Sequence, residues 1–343
     1  MNTTLQRWGI PLGLLGLMTI ITGLLNDPFS SAQSRKQAID IDGSSTVYPI
    51  TKLMASEFNG SRDNKVEINV GISGTTGGFR KFCEGKTDIN DASRPILKEE
   101  IAACEKRGVK YIELPIAFDA LTIVVNPKND WANDITVAEL KKIWEPTAQG
   151  KITKWNQIRS SWPDKPLNLY GPDKNSGTFD YFTQATVGKS KASRNDYTSS
   201  EDDNMLVKGV SLDPNALGYF GFAYYEANKT QLKALAVDSG KGSTIPSPQA
   251  MDKNLYQPLT RPLFIYINYH SAQVKPEVKE FVDFYLAKAP KLVNQVGYIP
   301  LSEEVYHLDL VQFNQGEVGT VFNGVAELNL TLAEVLRKRA TLF

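Results

Sequence analysis

The apolar positions of this chain recur in one order: a short strand, a turn of small hydroxyl residues and glycine, then an amphipathic helix. Residues 38–42 read as a strand, and Ile50, Leu53, Met54 and Phe58 recur at helical spacing over residues 49–58. Between them lies Gly43-Ser44-Ser45-Thr46-Val47. Val66, Ile68 and Val70 alternate with polar residues as in a half-buried strand. Ser73-Gly74-Thr75-Thr76-Gly77-Gly78 follows, and then a helix carrying Phe79, Phe82 and Cys83. Leu97, Ile101 and Cys104 share one face of the next helix, so Cys104 points inward, and residues 111–126 form two apolar strand-like runs around Phe118-Asp119-Ala120. The order returns at residues 167–170, a strand, where a turn over 171–175 leads to Ser176-Gly177-Thr178 and a helix with Phe179, Phe182 and Val187.

The remaining pattern extends a second lobe and then returns to the first. Thr136 and Glu139 form a capping box for a helix ending near Trp144. Residues 188–214 are polar and read as loop around a short helix. Residues 217–222 and 232–237 read as strands, and the proline-rich run 245–262 as the exit from this lobe. Residues 263–269 form a strong strand, and Pro276 opens a helix with Val278, Phe281, Val282 and Tyr285 on one face. A second capping box, Thr331 with Glu334, precedes Leu332, Val335 and Leu336, which predicts a packed terminal helix.

Residues 1–32 have the layout of a cleaved export signal: Arg7, an apolar stretch over residues 10–25, and Ser30-Ser31-Ala32 as the cleavage site. That stretch has 16 residues, where a membrane-spanning helix wants about 20, and no cysteine lies nearby to carry a lipid. The mature chain is expected to begin near Gln33, in the periplasm, with enough residues for two lobes at roughly 100 to 200 per domain. Formal charge is zero, which argues against a nucleic-acid surface and means that any anion site is built locally. Cys83 and Cys104 are the two cysteines. In an exported chain this pair is expected to form a disulfide, since a zinc site needs further ligands and His270 and His307 are remote in sequence.

The three hydroxyl turns suggest anion binding. A helix start offers unpaired N–H groups and the positive end of the helix dipole, and Ser or Thr adds a hydroxyl donor while still allowing close approach. One such turn is an ordinary N-cap. Three, drawn from two lobes, can converge on one ligand.

On Ile41-Asp42-Gly43-Ser44-Ser45-Thr46-Val47-Tyr48-Pro49, residues 71–82, 88–96 and 170–182, the chain resembles the PstS-type periplasmic phosphate-binding proteins of ABC transporters, in the cyanobacterial SphX-like group. The resemblance implies an α/β, two-lobed periplasmic-binding-protein type II fold, each lobe a mixed sheet flanked by helices, with crossovers near residues 120 and 265. Lobe 1 is then 33–119 plus 267–343 and lobe 2 is 120–266. It implies dehydrated phosphate in the cleft, an inner-membrane ABC permease as partner, a monomer, and no cofactor, metal or catalytic residue. Carried over by position, Ser45, Thr46 and the Val47 N–H donate from the first turn, Thr75 from the second, and Ser176, Gly177 and Thr178 from lobe 2.

One departure from the family matters. Well-known members have an aspartate where this chain has Arg94, and an arginine where it has Pro172. Arg94 is therefore expected to grip the ligand in bidentate fashion. The acceptor for the phosphate O–H, which sulfate lacks, has to come from elsewhere: Asp119 is the expected residue, with Asp91 and Asp42 as rivals. The alternative readings are a receptor for another oxyanion such as sulfate or molybdate, a secreted phosphatase, for which no nucleophile-base pair or metal cluster is evident, and a phosphate sensor.

Overall fold

The computed structural model describes residues 38–341. The expected export signal lies outside them. Five strands of lobe 1 run in the spatial order Ile68–Val70, Ile39–Gly43, Ile89–Ala92, Thr260–Asn268 and Tyr111–Val125. The first three are parallel, and Thr260–Asn268 runs antiparallel to both of its neighbours. Tyr111–Val125 then continues into lobe 2, where Leu121 to Val125 pair with Ala216–Gly221, itself parallel to Asn168–Gly171. A three-stranded sheet of Asp134–Thr136, Ala236–Asp238 and Ser243–Thr244 lies alongside.

Residues 111–125 therefore form one continuous strand in place of the two runs expected. All fifteen of its residues are buried. A strand buried on both faces loses the apolar-polar alternation that would mark it in sequence, and Asp119 in its middle looked like a break. The apolar cores change over along it: Phe118 packs with lobe 1 and Ala120 with lobe 2. The return change falls between Leu259 and Leu263.

Each strand-turn-helix unit forms where the pattern placed it. The first helix is Tyr48–Gly60, with Pro49 in its first turn, where a missing N–H costs nothing. The second, Gly74–Cys83, follows Ser73, and the lobe 2 helix Gly177–Val187 is capped by the Ser176 hydroxyl, which accepts from Thr178 N–H at 3.1 Å. Both capping boxes are present, at Thr136 with Glu139 and at Thr331 with Glu334. A disulfide joins Cys83 to Cys104, tying helix Gly74–Cys83 to helix Lys98–Lys106.

Candidate anion-binding site

The first turn of lobe 1 and the helix start of lobe 2 meet at their threonines. Thr46 Oγ1 lies 3.0 Å from Thr178 Oγ1, and both side chains are buried. The second turn closes on the same point. Thr75 Oγ1 lies 3.2 Å from Ser93 Oγ and accepts from Ser93 N–H at 3.1 Å. A Cβ on Gly177 would overlap both the Thr75 and Ser93 hydroxyl oxygens, so only glycine lets the lobe 2 backbone come this near.

The cation at this junction is Arg261. Its Nη2 donates to Thr178 Oγ1 at 2.8 Å, to Thr46 Oγ1 at 3.3 Å and to Asp119 Oδ2 at 3.0 Å, and its Nε reaches the same Oδ2 at 3.3 Å. Nη1 is buried with no hydrogen-bond partner among the described residues. Buried polar nitrogens are almost always paired, so a guanidinium with free N–H groups beside two converging hydroxyls marks a place for an anion.

Arg94 takes a different place from the one expected of it. It is fully buried, and all five of its N–H donors are engaged. Nε donates to Asp180 at 2.8 Å, Nη1 to Glu100 Oε2 at 2.8 Å and to the Pro95 carbonyl at 3.1 Å, and Nη2 to Glu100 Oε1 at 2.8 Å and Thr76 Oγ1 at 2.9 Å. None is left for a ligand. The correction is one of direction: Pro95 and the capping carboxylate Glu100 draw the side chain back over its own helix start, Lys98–Lys106, while Asp180 holds it from lobe 2.

Asp119 is likewise committed. Oδ1 accepts from Phe222 N–H at 3.2 Å and Oδ2 accepts from Arg261, so the carboxylate holds the guanidinium in place. Burial pushes its pKa up, and Arg261 draws it back. Asp42 is spent on Lys81, the Ser73 hydroxyl at 2.6 Å and Gly43 N–H at 2.7 Å. Asp91 stands on strand Ile89–Ala92 of lobe 1: its backbone C=O accepts from Ser44 N–H at 3.0 Å, and both side-chain oxygens are buried with no hydrogen-bond partner among the described residues.

The remaining expected donors lie at the junction with local duties. Val47 N–H turns to the Ser44 carbonyl at 3.2 Å. The Ser45 carbonyl accepts from Tyr224 of lobe 2 at 2.9 Å, and Ser176 caps its helix. Among the described residues no group of three His, Cys, Asp or Glu is arranged to hold a metal, and no helix is long and apolar enough to cross a membrane.

The sequence pattern puts Arg261 in the proline-rich exit at residues 245–262. In the structure that strand starts at Thr260, so Arg261 stands in register opposite Asp119 on the crossover strand. A lone arginine ahead of the apolar run Pro262-Leu263-Phe264-Ile265 is the signal that could have found it, because a charge entering a buried strand needs a partner.

A family model for the PBP superfamily domain matches residues 30–289. The chain belongs to that superfamily. Within it, the chain is 53% identical to Protein SphX of Synechocystis sp., with 98% of each chain covered. It is 38% identical to the Phosphate-binding protein PstS of Staphylococcus saprophyticus, covering 77% of this chain and 81% of that one. A structure from Clostridium perfringens assigned to phosphate ABC transport, solved with bound phosphate, matches at a TM-score of 0.65 and 25% identity, over 78% of this chain and 100% of the other. These relatives place the superfamily member in the SphX and PstS group, and its fold is the two-lobed one of that group.

Proposed function

We propose that this chain is a periplasmic receptor that captures inorganic phosphate between its lobes and delivers it to an ABC permease. The observation that carries the reading is the meeting of Thr46 and Thr178, from opposite lobes, at a buried Arg261 whose Nη1 has no partner. The relatives named for phosphate binding and the phosphate-bound neighbour support the choice of ligand.

In this reading the moving bodies are residues 33–119 with 263–343 against residues 120–259, and they pivot where the shared strands pass between cores. The second boundary falls a few residues before the expected 266, because Leu263 to Tyr266 pack in the lobe 1 core. Opening separates the two threonines and exposes the guanidinium. Phosphate oxygens then replace the hydroxyl-hydroxyl contact, taking donors from Thr46, Thr178, Arg261 and the helix starts at Thr75 and Gly177. Each charge-assisted bond in the closed site contributes roughly 1.5 to 3 kcal/mol. Asp119 and Phe222 keep the arginine aimed, so little ordering remains to be done on binding. The site consists of donors and their supports, and the receptor reading includes no hydrolytic step. Export by residues 1–32 and a monomeric state belong to the same proposal.

Calorimetric titration of the mature chain, Gln33 to Phe343, tests it. One phosphate bound per chain, with no metal requirement, is expected. Absence of phosphate binding overturns the reading, as does hydrolysis of a generic phosphate ester that persists through repurification.

A further inference from the structure

The two carbonyls on either side of the Thr46 side chain are held by tyrosines, one from each lobe. Tyr224, on the lobe 2 helix Phe222–Ala227, donates its hydroxyl to the Ser45 carbonyl at 2.9 Å. Tyr298, in the lobe 1 core, donates to the Thr46 carbonyl. Ser45, Thr46 and both tyrosines are buried, so water cannot stand in for either hydroxyl while the lobes are together.

The tyrosines reach the same turn because the segments that carry them touch. Gly297, at φ 85°, lies against the lobe 2 helix, where a Cβ would come within 3.2 Å of the Ala223 Cα. At the start of that helix, a Cβ on Gly221 would meet the Thr46 methyl at 3.1 Å. Residues 221–224 of lobe 2 therefore wrap the first hydroxyl turn of lobe 1, with a glycine at each close approach.

A trans peptide unit is planar, and its C=O and N–H point in opposite directions. A hydroxyl on the Ser45 carbonyl thus fixes the direction of Thr46 N–H, and one on the Thr46 carbonyl fixes that of Val47 N–H. Each bond also polarises its peptide unit and strengthens the N–H as a donor. Thr46 N–H meets only the Ser44 hydroxyl, at 3.2 Å. With both peptide planes held, the Cα between them is held too, and Thr46 Oγ1 stays 3.0 Å from Thr178 Oγ1.

We infer that Tyr224 and Tyr298 are positioning residues of the anion site, which fix the peptide units on both sides of Thr46, and that Tyr224 makes this alignment depend on lobe closure. The inference rests on the phosphate-receptor reading. Tyr298 and Thr46 belong to one lobe, so their bond persists when the lobes part. Tyr224 and Ser45 belong to different lobes. Opening gives the Ser45 carbonyl to water, and closing replaces that water by the Tyr224 hydroxyl, so closure and the final setting of the donor turn are one event.

Tyr224→Phe keeps the ring and leaves the Ser45 carbonyl unpaired only in the closed state, so phosphate affinity is expected to fall roughly tenfold. Stopped-flow binding of inorganic phosphate to the mature chain should place that loss in the dissociation rate constant. The association rate constant and the thermal midpoint without phosphate should match the wild type, because the open state lacks the bond. Tyr298→Phe should weaken binding and also lower the midpoint without phosphate. Tyr224→Leu serves the same purpose if the phenylalanine variant does not fold. A folded Tyr224 variant that releases phosphate at the wild-type rate overturns the inference, as does a Tyr298→Phe variant unchanged in both affinity and midpoint. Absence of phosphate binding in the wild type overturns the receptor reading instead.

Discussion

Arg94 and Arg261 are both fully buried and both pair with an aspartate, yet they belong to different parts of the protein's work. Arg94 has five donors and five acceptors, from Asp180, Glu100, Thr76 and Pro95. Arg261 concentrates its contacts on Nε and Nη2 and leaves Nη1 without a partner. Burial, charge and an adjacent acid therefore do not separate a structural arginine from a binding one. What separates them is whether the fold itself satisfies every donor, since an unmet N–H in a dry site costs stability until a ligand meets it.

Removing Arg94 is expected to have the largest effect on stability. Arg94→Ala leaves Asp180 and Glu100 buried without their cation, a loss of about 3 to 5 kcal/mol for a broken buried pair. Denaturant unfolding measures this, and calorimetry on the folded fraction should show phosphate affinity within a few fold of wild type. A large affinity loss at unchanged stability would exchange the roles of the two arginines.

Arg261→Ala should reverse the pattern. At least two charge-assisted bonds disappear, so phosphate affinity is expected to fall a hundredfold or more, about 2.7 kcal/mol. Arg261→Lys recovers only part, because an ammonium cannot reach Asp119 and both threonines in the same fixed fork. Isothermal titration of both variants decides the point, with thermal unfolding as the control for the Asp119 carboxylate left behind.

The Arg94 side of the comparison can be weakened from a distance. The disulfide Cys83–Cys104 spans a sequence separation of 21 and ties the helix that carries Thr76 to the helix that carries Glu100. Its removal by Cys83→Ser with Cys104→Ser is expected to lower stability by about 3 kcal/mol on the loop-entropy estimate. Phosphate affinity at a temperature where the variant stays folded should hold, because Arg261 and both threonines are untouched.

The smallest effect is one of pH. Burial raises Asp91 to about 8, and Asp203 and Asp309 to about 7, against roughly 4 for an aspartate in an unfolded chain. The folded protein therefore holds protons that the unfolded chain has released. Their stabilising contribution is fully present below about pH 4 and is lost as pH rises through 7 to 8. Thermal unfolding at fixed ionic strength should give a higher midpoint at pH 5.5 than at pH 8.5. Asp203→Asn should flatten the slope, and Asp180→Asn, on the Arg94 side, should instead lower the midpoint at both pH values.

Much of the architecture was legible because it depends on neighbours in sequence. The spacing of Ile50, Met54 and Phe58, the capping boxes at Thr136 and Thr331, and the hydroxyl turns before Tyr48–Gly60, Gly74–Cys83 and Gly177–Val187 are all local patterns. Caps and helical faces act within a turn or two, so the chain itself encodes them. The inward-facing Cys104 and the paired cysteines were also within reach, since few arrangements are open to two cysteines. The meeting of Thr46 with Thr178 was readable only as a convergence, without its partners.

The choice among the charged residues was made by the tertiary structure alone. Arg94 follows an apolar strand beside Ser93, as a ligand-binding arginine might, and only the approach of Asp180 from 86 residues away, together with the fold-back of Glu100, uses up its donors. Arg261 falls in the proline-rich stretch that reads as the exit from lobe 2, and only the antiparallel pairing of Thr260–Asn268 with the crossover strand sets it opposite Asp119. Asp203 lies in the polar run 188–214 that reads as loop around a short helix, and only the fold buries it there. A hydrogen bond or ion pair is fixed by distances of a few ångströms between residues far apart in sequence. Propensity and periodicity extend over a handful of residues, so they identify the elements that meet at the cleft but leave open which charges the fold satisfies and which it keeps for a ligand.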